Sequence, residues 1–139
     1  MPLENTSAAR RKAIRHKVKD IVCGAVKELP HHHVFTARGE AEKAEDFINI
    51  YFETGEREHV NNGAQADAPL IIRINTKAPA QRADDRLDKI SSWIEAAMEE
   101  QRLLDGLVYY SFMESFAYSD SPSGTYSALE LAYQLKYDD

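Results

Sequence analysis

The sequence has little of what a secreted or membrane-spanning protein needs. Cysteine occurs once, at Cys23, so no disulfide can form within one chain, and a reducing compartment is expected. No stretch approaches the roughly 20 apolar residues of a membrane span, and no hydrophobic signal region opens the chain. These features predict a soluble protein that is not exported and does not bind a membrane.

Motifs for catalysis and for phosphate or metal binding are also scarce. Gly39, Gly55 and Gly63 are scattered, and none belongs to a phosphate-binding loop with the required lysine. The three histidines at 31–33 would alternate between the two sides of a strand, and no Cys, Asp or Glu lies at ligand spacing beside them. We therefore predict no enzymatic activity, no metal and no cofactor.

Positive charge is concentrated near the N-terminus, although the net charge is −6. Six basic residues fall within ten positions: Arg10, Arg11, Lys12, Arg15, Lys17 and Lys19. From Asp20 onward, 22 acidic residues oppose 11 basic ones. An acidic body disfavours the wrapping of nucleic acid, because phosphate binding requires many Lys and Arg contacts. A nucleic-acid-binding regulator stays open as an alternative, but no aromatic residues alternate with the basic ones.

Two segments have the three- and four-residue spacing of apolar residues that indicates an amphipathic helix. The first covers residues 7–29, and Thr6 or Ser7 can cap its start. The second covers residues 84–101. Three acidic residues lie where the positive end of this helix's dipole would favour them: Asp84, Asp85 and Asp88.

Five segments are predicted to form strands, and the alternation of apolar and polar residues is clear in the second, third and fifth. They are HHHVFTA (31–37), FINIYFE (47–53), PLIIRINTK (69–77), VYYSFMESFAYS (108–119) and TYSALELAYQLKY (125–137). Residues 54–68 have almost nothing to bury, so they are predicted to form a long loop or the tip of an extended hairpin. The turn residues DSPSG (120–124) join the last two strands into a hairpin.

The order of these elements predicts one domain over residues 1–139, an α/β protein of the α+β type. Both helices would pack on one side of a mixed, mostly antiparallel sheet of four to five strands. The opposite face of the sheet would then have no helix to cover it. It would display mostly polar residues: Asn49, Tyr51, Glu53, Arg73, Asn75, Lys77, Glu130, Gln134 and Lys136.

The closing hairpin carries the most specific pattern, G-x-aromatic-S-small-x-acid-L-x-Y-x-aliphatic-x-Y. Its residues are Gly124, Tyr126, Ser127, Ala128, Glu130, Leu131, Tyr133, Leu135 and Tyr137. An opening helix, a strand that ends in FETGE (52–56), a second helix that carries Trp93 and Met98, and FAYSDS (116–121) precede it. Together these features resemble the tail terminators of long-tailed phages. The basic first helix and the three histidines depart from the family's pattern.

The resemblance implies a structural, non-enzymatic subunit of the virion, located in the tail at the head–tail junction after assembly in the host cytoplasm. Six copies would form a ring that caps the head-proximal end of the tail tube, stops its polymerisation and offers the head an attachment surface. The partners would be further copies, the major tail tube protein and a head-completion or connector protein, with DNA only passing through the bore. Another ring-forming neck protein, a head- or tail-completion factor, is the alternative.

We expect contacts between subunits or with partners on the uncovered sheet face and in the polar 54–68 segment. A strand with a semi-polar second face suits a surface that meets neighbours or lines a channel. The expected interface residues are Asn49, Tyr51, Arg57, Glu58, Asn61, Asn62, Arg73, Asn75, Glu130 and Gln134.

Overall fold

The structure, a computed structural model, describes residues 6–39, 41, 43–60 and 63–138. Two helices, α1 (Ser7–Ala25) and α2 (Ala80–Glu100), pack on one side of a six-stranded sheet. The strands are β1 (Val34–Phe35), β2 (Asp46–Phe52), β3 (Glu56–Val60), β4 (Gly63–Thr76), β5 (Tyr110–Asp120) and β6 (Ser127–Asp138). The predicted α+β class is confirmed, with six strands instead of four to five. Within the described ranges, no helix is long and apolar enough to cross a bilayer.

Helix α1 begins where the sequence predicts and ends earlier. The N–H of Ala9 donates a hydrogen bond to the Thr6 side chain at 3.0 Å, which confirms the expected cap. The helix ends at Ala25, four residues before the predicted end, although Leu29 is still buried. Pro30 disfavours a helical conformation for the residue before it, so the chain turns out of the helix before Leu29.

Helix α2 begins four residues before its predicted start. Pro79 occupies the cap position, and the first turn contains no acidic residue. Three acidic residues therefore lie beyond the first turn: Asp84, Asp85 and Asp88. The dipole effect decays within one turn, so helix capping does not account for these carboxylates, and that interpretation is wrong.

The strands are ordered β1-β2-β4-β6-β5, with β3 paired to the first half of β4. All neighbouring pairs are antiparallel except β1 and β2. The central strand β4 aligns Ile72 with Ile50 on one side and with Leu131 on the other. These side chains face the helices and form the main core, and β5 is left at one edge of the sheet.

Two predicted segments take different conformations from those expected. His31–His33 form one turn of 3-10 helix, and the following strand is only two residues long. Residues 54–68 are not a long loop, because Arg57 pairs with Ala66 and Glu58 with Gln65 in the β3–β4 hairpin. The extended-hairpin alternative is therefore correct. Asn61 and Asn62 lie outside the described residues.

A small second core lies on the sheet face away from the helices. Phe47 is fully buried, and its ring centre is 4.8 Å from that of Tyr126. The Tyr126 hydroxyl donates to the carbonyls of Ala41 and Ala44, at 2.6 and 2.8 Å. This face is therefore partly covered, contrary to the sequence prediction, by the segment before β2 and by Tyr126, which precedes β6.

The single tryptophan, Trp93, lies half-buried on α2. It lines the outer groove between α2 and α1, together with Gly24 of α1 and Ala97 of α2. The ammonium of Lys89 lies 5.3 Å from the centre of its ring. Trp93 therefore belongs to the contact between the two helices and lies on the side of α2 away from β5.

Candidate functional site

A polar pocket of about 590 Å³ lies on the sheet face away from the helices. Strands β2, β4 and β6 form its floor, and the segments around Gly39 and Ser121 form its walls. Five of the predicted interface residues line this polar pocket: Asn49, Tyr51, Arg73, Asn75 and Glu130. The structure thus brings half of the predicted set together.

Two of these residues are buried, which contradicts their predicted exposure. Asn49 is 3% exposed and Asn75 is 2% exposed. Asn49 Nδ2 donates to the carbonyls of Ala37 and Gly39, at 2.9 and 3.1 Å. Asn75 Nδ2 donates to Asn49 Oδ1 at 3.0 Å and to the Phe47 carbonyl at 3.2 Å. Asn49 therefore holds the covering segment against the sheet, and Asn75 supports Asn49 from the neighbouring strand.

The remaining wall of the polar pocket carries hydrogen-bond donors. Arg73 forms an ion pair with Glu130, and its Nε donates to Asn75 Oδ1 at 3.2 Å. The guanidinium of Arg38 lies 4.7 Å from the centre of the Tyr51 ring. Burial, reinforced by the charge of Glu130, raises the pKa of Tyr51, so its hydroxyl remains a donor at neutral pH. Such a wall suits a partner's carboxylate or carbonyl groups.

The other predicted interface residues lie apart from the polar pocket. Arg57 and Glu58 are exposed on β3. Gln134 is on the same face of β6 as Glu130, but it pairs with Pro69 and Phe112 farther along the sheet. Asn61 and Asn62 fall outside the described residues. The interface role of the whole set stays a prediction.

Strand β5 carries an exposed apolar surface that was not predicted from the sequence. Phe112 is 50% exposed, Phe116 is 62% exposed and Tyr118 is 45% exposed, and β5 is an edge strand. The register shifts between Met113 and Ser115, so apolar residues before and after this bulge occupy different parities along the strand. The available signal was the density of large apolar residues in VYYSFMESFAYS, on both faces of one strand.

Part of this surface faces α2 across a groove of about 210 Å³ that we call the acidic groove. It is lined mainly by Asp88, Ser91 and Glu95 of α2 and by Met113, Phe116 and Tyr118 of β5. The Tyr118 hydroxyl donates to the Asp88 carboxylate. This bond, with burial and the charges of Asp88, Asp84 and Glu95 as smaller causes, raises the pKa of Tyr118 to about 12. The carboxylates of Asp88 and Glu95 lie on the α2 side of the groove.

Helix α1 carries the opposite charge on the side away from α2, which we call the basic side: Arg11, Lys12, Arg15 and Lys19. Arg11 lies beside Phe52 and Glu56 near β3, whereas Lys17 pairs with Asp105 at 2.7 Å on the α2 side. Among the described side chains, only Arg15 Nε is buried without a hydrogen-bond partner. The basic side and the acidic groove therefore lie at opposite flanks of the helical layer.

The fold is similar to that of a chain from a solved virion of a native gene transfer agent particle, with a TM-score of 0.56 at 10% sequence identity. The match covers 93% of this chain and 94% of that chain, and at this identity it shows the fold alone. A search of curated proteins gave no match. The family model described as phage minor tail protein U matches residues 9–137. Because that match spans nearly the whole chain, the protein belongs to the phage minor tail protein U family.

Proposed function

We propose that six copies of this chain form a ring that caps the head-proximal end of the phage tail tube. The ring stops tube polymerisation and gives the head its attachment surface, as a structural and non-enzymatic component at the head–tail junction. The observation that carries this proposal is the family match over residues 9–137, which makes the chain a phage minor tail protein.

A terminator must bind the end of the tube and offer no equivalent site to the next ring of tube subunits. A cyclic ring with head-to-tail contacts has this property, because its two faces are different surfaces. The chain is suited to such contacts, since its two flanks carry unlike surfaces, the basic side and the acidic groove.

The acidic character of the chain supports a place around the DNA path. Acidic residues outnumber basic ones two to one from Asp20 onward. Unpaired carboxylates repel phosphate, so DNA would pass through the bore without binding to it. The polar pocket and the β3–β4 hairpin would face the bore, a neighbouring subunit or the tube protein.

The test is an assembly assay with the major tail tube protein of the same phage. Purified chain is added to assembling tube protein, and tube lengths are measured by electron microscopy against a reaction without the chain. We expect mean tube length to fall as the ratio of chain to tube protein rises, with one end of each tube capped by six-fold density. Tubes that extend past bound chain would contradict termination and favour another neck component.

A further inference from the structure

We propose that the basic side of α1 in one copy docks into the acidic groove between α2 and β5 of the next copy. This contact rests on the proposed function, because it is the one through which the ring would close.

The acidic groove has the character of an unoccupied contact surface. Phe116 is 62% exposed on an edge strand whose outer backbone has no strand partner within the described part of the chain. Natural edge strands are usually protected by charges, prolines or covering segments, because exposed apolar edges promote association. Between Tyr110 and Tyr118, β5 carries one charged residue, Glu114. An apolar edge of this kind is typical of an interaction site.

Charge complementarity indicates which segment would bind in the acidic groove. Carboxylates of Asp88 and Glu95 line the groove beside the aromatic rings of β5, and the charge of Asp84 also acts on the Tyr118 hydroxyl. A matching segment needs several cations on long apolar stems, and the basic side supplies Arg11, Arg15 and Lys19 at four-residue intervals on one helix. Arginine stems pack against apolar surface, and guanidinium groups bind carboxylates and aromatic faces.

The basic side is costly within a single subunit. Arg11, Arg15 and Lys19 are spaced four residues apart on α1, and like charges at this spacing destabilise a helix. This repulsion is relieved if carboxylates of a second copy stabilise the positive charge.

The positions of the two surfaces require a head-to-tail contact. Helix α1 packs over β1 and β2, whereas α2 packs over β4 and β6 beside β5. The basic side and the acidic groove therefore lie on opposite flanks. A single contact can then use only one of these two surfaces of a given copy. Each added copy leaves one surface of each kind free until the ring closes.

Two charge-reversal variants test the contact. The helix variant carries Arg11→Glu and Arg15→Glu, and the groove variant carries Asp84→Lys and Asp88→Lys. Sedimentation equilibrium of the full chain measures self-association. We expect each variant alone to associate about tenfold more weakly than the wild type, or not at all, because like charges would meet. An equimolar mixture should recover association, since alternating copies present opposite charges at every contact.

A matched control carries Lys27→Glu and Lys43→Glu, two exposed residues outside both surfaces with the same change in net charge as the helix variant. It should associate like the wild type. Circular dichroism of every variant excludes unfolding as the cause of a loss. Recovery in the mixture gives a second criterion, because a misfolded variant would not regain association.

The proposal is overturned if the wild type stays monomeric up to millimolar concentration, if either variant associates like the wild type, or if the mixture fails to recover. It is also overturned if the basic side binds duplex DNA and the helix variant loses only that binding. Different results would contradict the proposed contact and the proposed role in termination. Rings formed by both variants would remove the contact and leave termination standing, whereas wild-type rings that do not shorten tubes would remove termination alone.

Discussion

For Asn49 and Asn75, the sequence predicts the correct face of the sheet but does not predict that their side chains are buried. Their positions in β2 and β4 put them on the face away from the helices, as the alternation predicts. Their burial depends on the segment before β2, which Tyr126 anchors from more than 80 residues away in sequence. Local periodicity contains no information about such a long-range cover.

Replacing Asn75 should therefore destabilise the protein more than a typical polar substitution. Asn75→Ala removes the partner of Asn49 Oδ1 and of the Phe47 carbonyl, both in buried surroundings. We expect the free energy of unfolding to fall by about 1–3 kcal/mol, measured by urea denaturation. Gln134→Ala, on the same face and only partly buried, should change it by no more than about 0.5 kcal/mol. Equal effects would show that the amide network does not stabilise the fold.

Arg86 joins three parts of the fold and changes the titration of one of its partners. It donates to Glu28 at 3.0 Å and to Asp46 at 2.8 Å. Burial lowers the pKa of Arg86, but its bonds to Asp46 and Glu28 outweigh burial and leave that pKa raised. The Arg86 hydrogen bond, followed by the charge of Lys89, lowers the pKa of Glu28 below its ordinary 4.5.

The sign of the pH dependence follows from this lowered pKa. Glu28 contributes stability above its unfolded pKa, and the contribution is lost as pH falls through the lower folded value. Arg86→Gln should raise the Glu28 titration midpoint, measured by NMR, towards 4.5. Lys89→Gln should raise it less, because Lys89 is the weaker cause. A midpoint that Arg86→Gln leaves unchanged would rule out the assigned cause.

At the scale of the elements, both helices and the long strands follow from local patterns in the sequence. The apolar stripes of α1 and α2 and the alternation in β2, β4 and β6 recur at fixed periods, which short windows reveal. Strand β3 has no such signal, because its described side chains are exposed and its pairing depends on the extension of β4. The exposed surface of β5 was not predicted for a related reason. The bulge changes which residues share a face of the strand, and its position depends on pairing with β6.

The basic residues of α1 should be dispensable for folding. Changing Arg10, Arg11, Lys12 and Arg15 to Gln leaves the apolar stripe of α1 intact, and each change should alter stability by no more than roughly 0.5 kcal/mol. The melting temperature, followed by circular dichroism, should therefore stay close to that of the wild type. Ile14→Gln, at a fully buried position, is the contrasting variant and should melt far lower. Collapse of the fourfold variant would mean that the buried face of α1 is misassigned.

At the scale of the whole molecule, the proposed contact combines charge with apolar burial, and the two terms respond differently to salt. Raising the salt concentration from about 0.05 to 0.5 M shortens the screening length severalfold, so wild-type self-association should weaken. Phe116→Ser should weaken it at every salt concentration, because it removes apolar contact and leaves the charges in place. Association that does not depend on salt would contradict an electrostatic contact.

The position of Trp93 gives the molecule a built-in optical reporter. It is the only tryptophan, and it lies between α1 and α2, away from both the acidic groove and the basic side. Its emission therefore responds to separation of the helices and stays insensitive to docking at either flank. Fluorescence can follow unfolding at dilutions where subunits are dissociated, while light scattering from the same sample follows assembly, so folding and association can be resolved without a label.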